Sequence, residues 1–279
     1  MPDLPAFRRV FAEMVCAYAG ATDPRLVEAF ATVPREHYLG PGPWKFVTDT
    51  DRYAETPSDD PVYLYEDRLY AIDASRRLNN GLPGFLARLI DALALKPGDR
   101  VAHVGAGVGY YTAIMAEMVG PSGRVFGREV DASLAARAGS NLAHYGHVEV
   151  AAGSGIELDC RNLDALFINA GATHPLPAWL DTLAPGGRLV LPLTGEHRWG
   201  IVVKITRRNS GFDAACIGNV GIYPCEGARD PAAAKALARA LKKGGQESLS
   251  TLRRDRHPRG ESCWLHGRDW CFSTTAGEA

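Results

Sequence analysis

No apolar run in this 279-residue chain approaches the ~18 residues that would suggest a membrane span, so no membrane partner is expected. An excess of one charge is missing too. The 31 basic residues stand against 32 acidic ones, for a formal net charge of −1, and that balance gives no strong field to draw nucleic acid or an anionic surface. The N-terminus lacks the basic, apolar, small-residue order of a secretory signal, because its first charges fall inside an apolar-periodic stretch. A cytoplasmic address is the resulting expectation. The six cysteines include no Cys-x-x-Cys pair, so neither a disulfide framework nor a zinc motif is signalled by spacing. Cys263, His266 and Cys271 lack a fourth ligand at motif spacing, and no metal is expected there. With 46% hydrophobic and 23% charged residues, the composition is that of an ordinary globular protein and not of a disordered or fibrous one.

What is present is a sequence of alternating elements. Apolar positions at helical spacing predict helices over 7–19 and 23–32, the second opened by Asp23-Pro24 as cap and first-turn proline. Residues 34–73 break into Gly, Pro, Asp and aromatic residues and read as a covering segment. A helix is predicted over 83–95. Strands at 101–105, 124–130, 147–153, 165–171 and 188–193 then alternate with helices near 110–119, 132–144 and 177–183, the pattern of a parallel sheet. The strand at 200–206 follows too closely for a crossover helix and should pair antiparallel with its predecessor. An alanine-rich helix over 230–243 leads into the stretch RRDRHPR. Arginines beside Trp264 and Trp270 suit nucleic acid in principle. Between 241 and 271, however, seven basic residues meet four acidic ones, and a solvated face with the tryptophans packed on the main body is the reading adopted.

Chemistry concentrates at VAHVGAGVGYY, where Gly105, Gly107 and Gly109 follow a strand and open a helix. Backbone N–H groups at such a turn can face an anionic ligand. Glu129 lies twenty residues beyond Gly109, at the end of the next strand, where a carboxylate can accept hydrogen bonds from both hydroxyls of a ribose. Nicotinamide cofactors use a similar arrangement, so a dehydrogenase remains open at this point.

Residues 1–228 resemble the protein-L-isoaspartate O-methyltransferase family in DPRLVEAFATVPREHYL, YEDRLYAI, NNGLPGFLARLIDALALKPGDRV, GRVFGREVD and LAPGGRLVLPL, with GFDAACIGNVGIYPCEG similar to its closing strand. The resemblance implies an α/β fold: a Rossmann-like seven-stranded methyltransferase sheet, mostly parallel with an antiparallel last strand, and helices on both faces. It divides the chain into an N-terminal helical and covering segment (1–78), a cofactor-binding core (79–228) and a C-terminal extension (229–279). It implies S-adenosylmethionine as cofactor and a carboxylate or other oxygen of a peptide, protein or small molecule as methyl acceptor. The cofactor set it implies is His103, Gly105, Ala106, Gly107, Gly109, Glu129, Val130, Gly153, Ser154, Gly155 and Asn169.

Three departures from the family fall at contact positions. Its serine-bearing segment before the helix reads here as Leu78-Asn79-Asn80-Gly81-Leu82-Pro83, so Asn79 and Asn80 become the catalytic candidates; an amide can orient a carboxylate but cannot act as a base, and a plain Asn-Gly turn is the alternative. His103 replaces a glutamate that helps hold the cofactor's amino-acid end. Either a neutral imidazole accepts from the cofactor ammonium, with binding weakened in acid, or the histidine is packed at the strand end. Ser154 replaces an aspartate, leaving a neutral acceptor for the adenine amine. Asp164 reads as a structural residue. Asn169 to Thr173 lie at a strand's carboxyl end, where ligands sit in open sheets. A cofactor-binding scaffold without efficient transfer is the second functional reading.

Overall fold

The computed structural model describes residues 3–196 and 198–275. Two compact units result: one comprises the chain up to Asp99 together with Ala106–Ala152, the other Arg100–Gly105 together with the chain from Gly153 on. No helix among the described residues is long and apolar enough to cross a membrane.

The first unit begins with α1 (Leu4–Ala19), α2 (Pro24–Thr32) and α3 (Arg35–Leu39). α1 buries Phe11, Ala12, Val15 and Cys16 and stops at Gly20, whose φ of 64° suits glycine. The Asp23 side chain accepts from the Arg25 N–H at 2.9 Å, which is the cap expected of Asp before Pro24. Short strands β1 (Lys45–Val47) and β2 (Tyr53–Glu55) pair antiparallel. So do β3 (Ala71–Asp73) and β4 (Leu78–Asn79). β1, β2 and β3 fall within the segment read as mere covering, and none of the four strands exceeds three residues, too few for a period of two to register. Leu39, Trp44, Leu64 and Tyr70 form a small core of their own there.

Helix α4 (Pro83–Ala92) ends a little before the predicted boundary; Ala94 already has a φ of 49°, and Pro97 disfavours helical backbone at the residue before it. The chain then passes through β5 (Arg100–Val104), part of the second unit. It returns with α5 (Tyr110–Val119), of which nearly every side chain is buried, followed by β6 (Arg124–Glu129), α6 (Ala132–Leu142) and β7 (Val148–Ala152). β6 and β7 run parallel, Glu129 opposite Ala152.

In the second unit β5 pairs parallel with β8 (Leu163–Ile168). After α7 (Pro177–Thr182), β8 pairs parallel with β9 (Leu183–Thr194). β10 (Trp199–Arg207) pairs antiparallel with β9, as the short connection requires, and β11 (Phe212–Gly221) with β10. Beyond them lie α8 (Pro231–Lys243), β12 (Thr251–Arg253), β13 (Cys263–His266) and β14 (Cys271–Ser273). The strand order in this unit is β13, β14, β12, β11, β10, β9, β8, β5. The α/β character and the parallel strands thus stand as read. The strand count exceeds seven and the antiparallel part continues past one strand, because β12–β14 extend it with three-to-four-residue pieces that carry no legible alternation.

Candidate functional site

In the first unit the glycine turn is fixed by the backbone before any ligand is considered. The Ala106 N–H donates to Arg128 O at 3.1 Å, the Gly109 N–H to Ala106 O at 2.9 Å, and the Asn141 amide to Val108 O at 2.9 Å. Gly109 has a φ of 94°, and a Cβ on it would come 2.8 Å from Leu142 Cδ1, so only glycine lets α6 approach the start of α5. Glu129, 7% exposed, sits at the tip of β6. Its Oε2 accepts from the Gly107 N–H at 2.7 Å and its Oε1 from the Asp131 N–H at 3.0 Å. Two backbone donors thus orient a nearly buried carboxylate that offers about four lone-pair sites in all, leaving acceptor capacity for hydroxyl donors. Val130 beside it is exposed.

The hairpin of β3 and β4 reaches toward this turn. Ile72 Cδ1 lies 3.8 Å from where a Cβ on Gly107 would be. The hairpin's tip is tied down by Arg76, which donates to Asp131 Oδ2 at 2.5 Å. Asp131 also caps α6, accepting from the Ser133 and Leu134 N–H groups; the Ser133 hydroxyl first, then Arg76, hold its carboxyl well below the usual carboxylate range. This clamp was not legible in the sequence, where Asp131 shows only as the last residue of the GRVFGREVD stretch.

The two asparagines differ. Asn79 is engaged at both ends of its amide: Oδ1 accepts from the Tyr53 hydroxyl at 2.7 Å and Nδ2 donates to Arg77 O at 3.1 Å. Asn80 is 6% exposed, its backbone N–H is bound to Tyr70 O, and its Nδ2 is buried with no hydrogen-bond partner. A buried donor left unpaired costs about 1–3 kcal/mol, a cost that Asn80 bears and Asn79 does not.

In the second unit Gly105 ends the β5 strand with a φ of 80°, and a Cβ there would lie 3.1 Å from Asn169 O. The Asn169 N–H donates to Val104 O at 2.8 Å, and its Nδ2 lies 3.4 Å from Gly105 O. Gly155 carries a carbonyl that accepts from the buried Trp179 indole at 2.7 Å. Ser154 is exposed and its Oγ lies near the Ile156 N–H at 3.4 Å, while Gly153 has a φ of 135°. Asp164 takes the structural role read for it, accepting from the Arg100 N–H at 2.9 Å. Thr173 ties its loop to the start of α8, donating from its N–H to Ala228 O at 3.0 Å and accepting from the Asp230 N–H at 2.9 Å.

His103 is fully buried and stacks on Phe167, ring centroids 5.1 Å apart and planes 16° from parallel. Burial pushes its pKa down to about 3 from 6.5, so the imidazole is neutral across the physiological range and no charge change there weakens cofactor binding in mild acid. The native state binds fewer protons here than the unfolded chain does. The stability contributed by neutral His103 is therefore complete above about 6.5 and is lost as pH falls toward about 3. We expect the chain's urea midpoint to decline over that interval and the decline to be shallower in His103→Phe; parallel profiles would contradict this.

Three arginines of the C-terminal stretch are paired. Arg253 and Asp255 meet at 2.9 Å, Arg256 and Asp269 at 2.7 Å, and Arg254 bonds Asp181. Trp264 is buried, its indole donating to Gly244 O at 3.0 Å, and Trp270 stacks on His174 at 6.0 Å. A groove of about 1640 Å³ lined by Arg207, Arg208, Arg253 and Arg254 also contains Asp213, paired with Arg208, and Asp255, paired with Arg253.

A strand, a glycine turn and an acidic strand tip in this order define a Rossmann-like nucleoside-binding site. The fold is shared by a solved protein from Plasmodium falciparum, described as a putative protein-L-isoaspartate O-methyltransferase in complex with S-adenosyl-L-homocysteine, at a TM-score of 0.61 and 18% identity over 78% of this chain and 98% of that one. Residues 13–217 match the protein-L-isoaspartate(D-aspartate) O-methyltransferase family. The chain is also 31% identical over 230 residues to protein-L-isoaspartate O-methyltransferase 2 of Marinobacter nauticus, covering 81% of this chain and 95% of that one. Against the Aeropyrum pernix protein-L-isoaspartate O-methyltransferase it is 34% identical over 177 residues, 62% of this chain but only 61% of the relative's length. The chain belongs to the protein-L-isoaspartate(D-aspartate) O-methyltransferase family, and with it to the S-adenosylmethionine-dependent O-methyltransferases.

Proposed function

We propose that the chain esterifies a carboxylate of a peptide or protein, the isoaspartyl carboxylate being the first candidate, with Glu129 holding the ribose of S-adenosylmethionine and Asn80 orienting the acceptor. The observation that carries the reading is the pairing of a nearly buried, backbone-oriented Glu129 with the Gly107 N–H. Family resemblance adds Gly105, Ala106, Gly107 and Gly109 for the methionine portion, Ser154 between Gly153 and Gly155 for the adenine side, and Val130 and Asn169 to the cofactor set. The same resemblance puts His103 in the cofactor set; its complete burial against Phe167 favours a packing role instead.

When bound, the cofactor supplies a methyl group activated by its sulfonium. The acceptor carboxylate is already ionised near neutral pH, so the protein needs no general base; its work is alignment and exclusion of water. Asn80 would donate its unpartnered Nδ2–H to one acceptor oxygen and leave the other free. Asn79, with both amide ends engaged, would support β4 rather than touch the acceptor. A cytoplasmic address and the absence of nucleic-acid or membrane partners complete the proposal, supported by the near-neutral charge.

The test is methyl-ester formation on an isoaspartyl peptide. We expect turnover by the parent chain and an approximately 10–100-fold lower kcat in Asn80→Ala, from the loss of one hydrogen bond to a charged oxygen, with affinity for S-adenosylhomocysteine unchanged. Cofactor binding without turnover on this peptide or on cell lysate would favour the scaffold reading.

A further inference from the structure

We propose that His257, Cys263, His266 and Cys271 bind a structural zinc ion in the second unit. Their ligand atoms all lie within 4.8 Å of one another. A tetrahedral zinc with sulfur near 2.3 Å and nitrogen near 2.1 Å has edges of about 3.3–3.8 Å, so small side-chain adjustments close the site. The chain brings the four together from two directions. β13 and β14 are antiparallel neighbours with His266 directly opposite Cys271, and Cys263 begins the same strand β13. His257 comes from the segment between β12 and β13, with its Nε2 3.5 Å from Cys263 Sγ and its ring 4.8 Å from that of His266. The sequence spacing, His-x5-Cys-x2-His-x4-Cys, hides this because the first ligand sits inside the arginine stretch; the missing fourth ligand is His257.

The surroundings are those of a metal site. His257 Nδ1 lies 3.2 Å from Asp255 Oδ2, the carboxylate contact that orients a ligating imidazole, and Arg253 fixes that carboxylate. The Gly260 N–H donates to Cys263 Sγ at 3.3 Å. Both thiols are buried and free, and His266 Nδ1 is buried without a hydrogen-bond partner. Two soft thiolates and two imidazoles select zinc over magnesium or calcium, and four protein ligands leave no open position, which marks a structural rather than a catalytic ion. The ion would pin the 254–262 connection to a hairpin whose strands β13 and β14 have only four and three residues.

The experiment is elemental analysis of the full chain, purified in a chelator-free buffer under a thiol-free reductant, then incubated with zinc and desalted. We expect about one zinc per chain, falling below about a tenth in Cys263→Ser and Cys271→Ser. Asp255→Asn should keep the ion with about 10–100-fold lower affinity. Should the cysteine variants fail to fold, cobalt loading of the parent decides: tetrahedral bands with a thiolate charge-transfer absorption are expected. Parent protein that holds less than about a tenth of an equivalent of zinc, or cobalt spectra without thiolate charge transfer, would overturn the proposal.

Discussion

Glu129→Ala is expected to weaken S-adenosylhomocysteine binding by roughly 100-fold or more while the chain stays folded. The carboxylate is nearly buried and already aimed by the Gly107 and Asp131 N–H groups. Each hydrogen bond to a charged group is worth about 1.5–3 kcal/mol, and two bonds to ribose hydroxyls would be lost together, about 3 kcal/mol or more at a tenfold change per 1.4 kcal/mol. Alanine also frees the Gly107 N–H and loosens the turn that would meet the methionine portion. Glu129→Gln is the informative companion. Its amide has one acceptor and one donor, so whichever way it turns, an NH2 group faces a backbone N–H, and binding should be only partly restored. Calorimetric titration of the three proteins checks this; equal affinities would remove Glu129 from the site.

Arg35→Ala is expected to lower stability by about 3–5 kcal/mol and the thermal midpoint by about 10 °C. Arg35 has no exposed surface. Its Nη1 donates to Leu64 O at 2.7 Å and Glu66 O at 2.8 Å, and its Nη2 to Arg68 O at 2.8 Å, while the guanidinium lies 4.9 Å from the Tyr70 ring centroid. Removal takes a donor from three carbonyls, of which Glu66 O keeps the Arg68 N–H at 2.9 Å, and leaves a cavity beneath Tyr70. Those carbonyls belong to the segment leading into β3, so Arg35, together with the Arg76–Asp131 pair at the tip, holds the hairpin that places Ile72 near Gly107. Arg35→Lys should recover little, since an ammonium lacks the planar fork that spans three acceptors. A midpoint shift under about 2 °C in Arg35→Ala would contradict the account.

The elements around Gly105–Gly109 were legible because each is long enough to show its period: Arg124–Glu129 as a strand before Asp131, Tyr110–Val119 as a helix after three glycines, and Trp199–Arg207 as an antiparallel neighbour from the brevity of its connection. The glycine turn and Glu129 stand out by residue type and spacing, but the family resemblance, and not the spacing, names the ligand. Asn79 and Asn80 do not stand out in this way. Adjacent identical residues differ only in their partners, and those partners, Tyr53 from β2 and Arg77 from the β3–β4 turn for Asn79, come from strands too short for a readable alternation. His103 likewise shows at a strand end in sequence but lies wholly inside, stacked on Phe167. Arg35 and His257 are tertiary residues in the same sense: one sits in a five-residue helix, the other among arginines, and only the folded chain discloses that the first gathers carbonyls and the second faces a thiol.

The most direct test is a calorimetric titration of S-adenosylhomocysteine into the parent chain. One saturable site per chain is expected, with displacement by S-adenosylmethionine and none by a nicotinamide dinucleotide. Absence of any binding heat at every temperature tried, together with tight binding of the nicotinamide compound, would contradict the methyltransferase site built on Gly107 and Glu129.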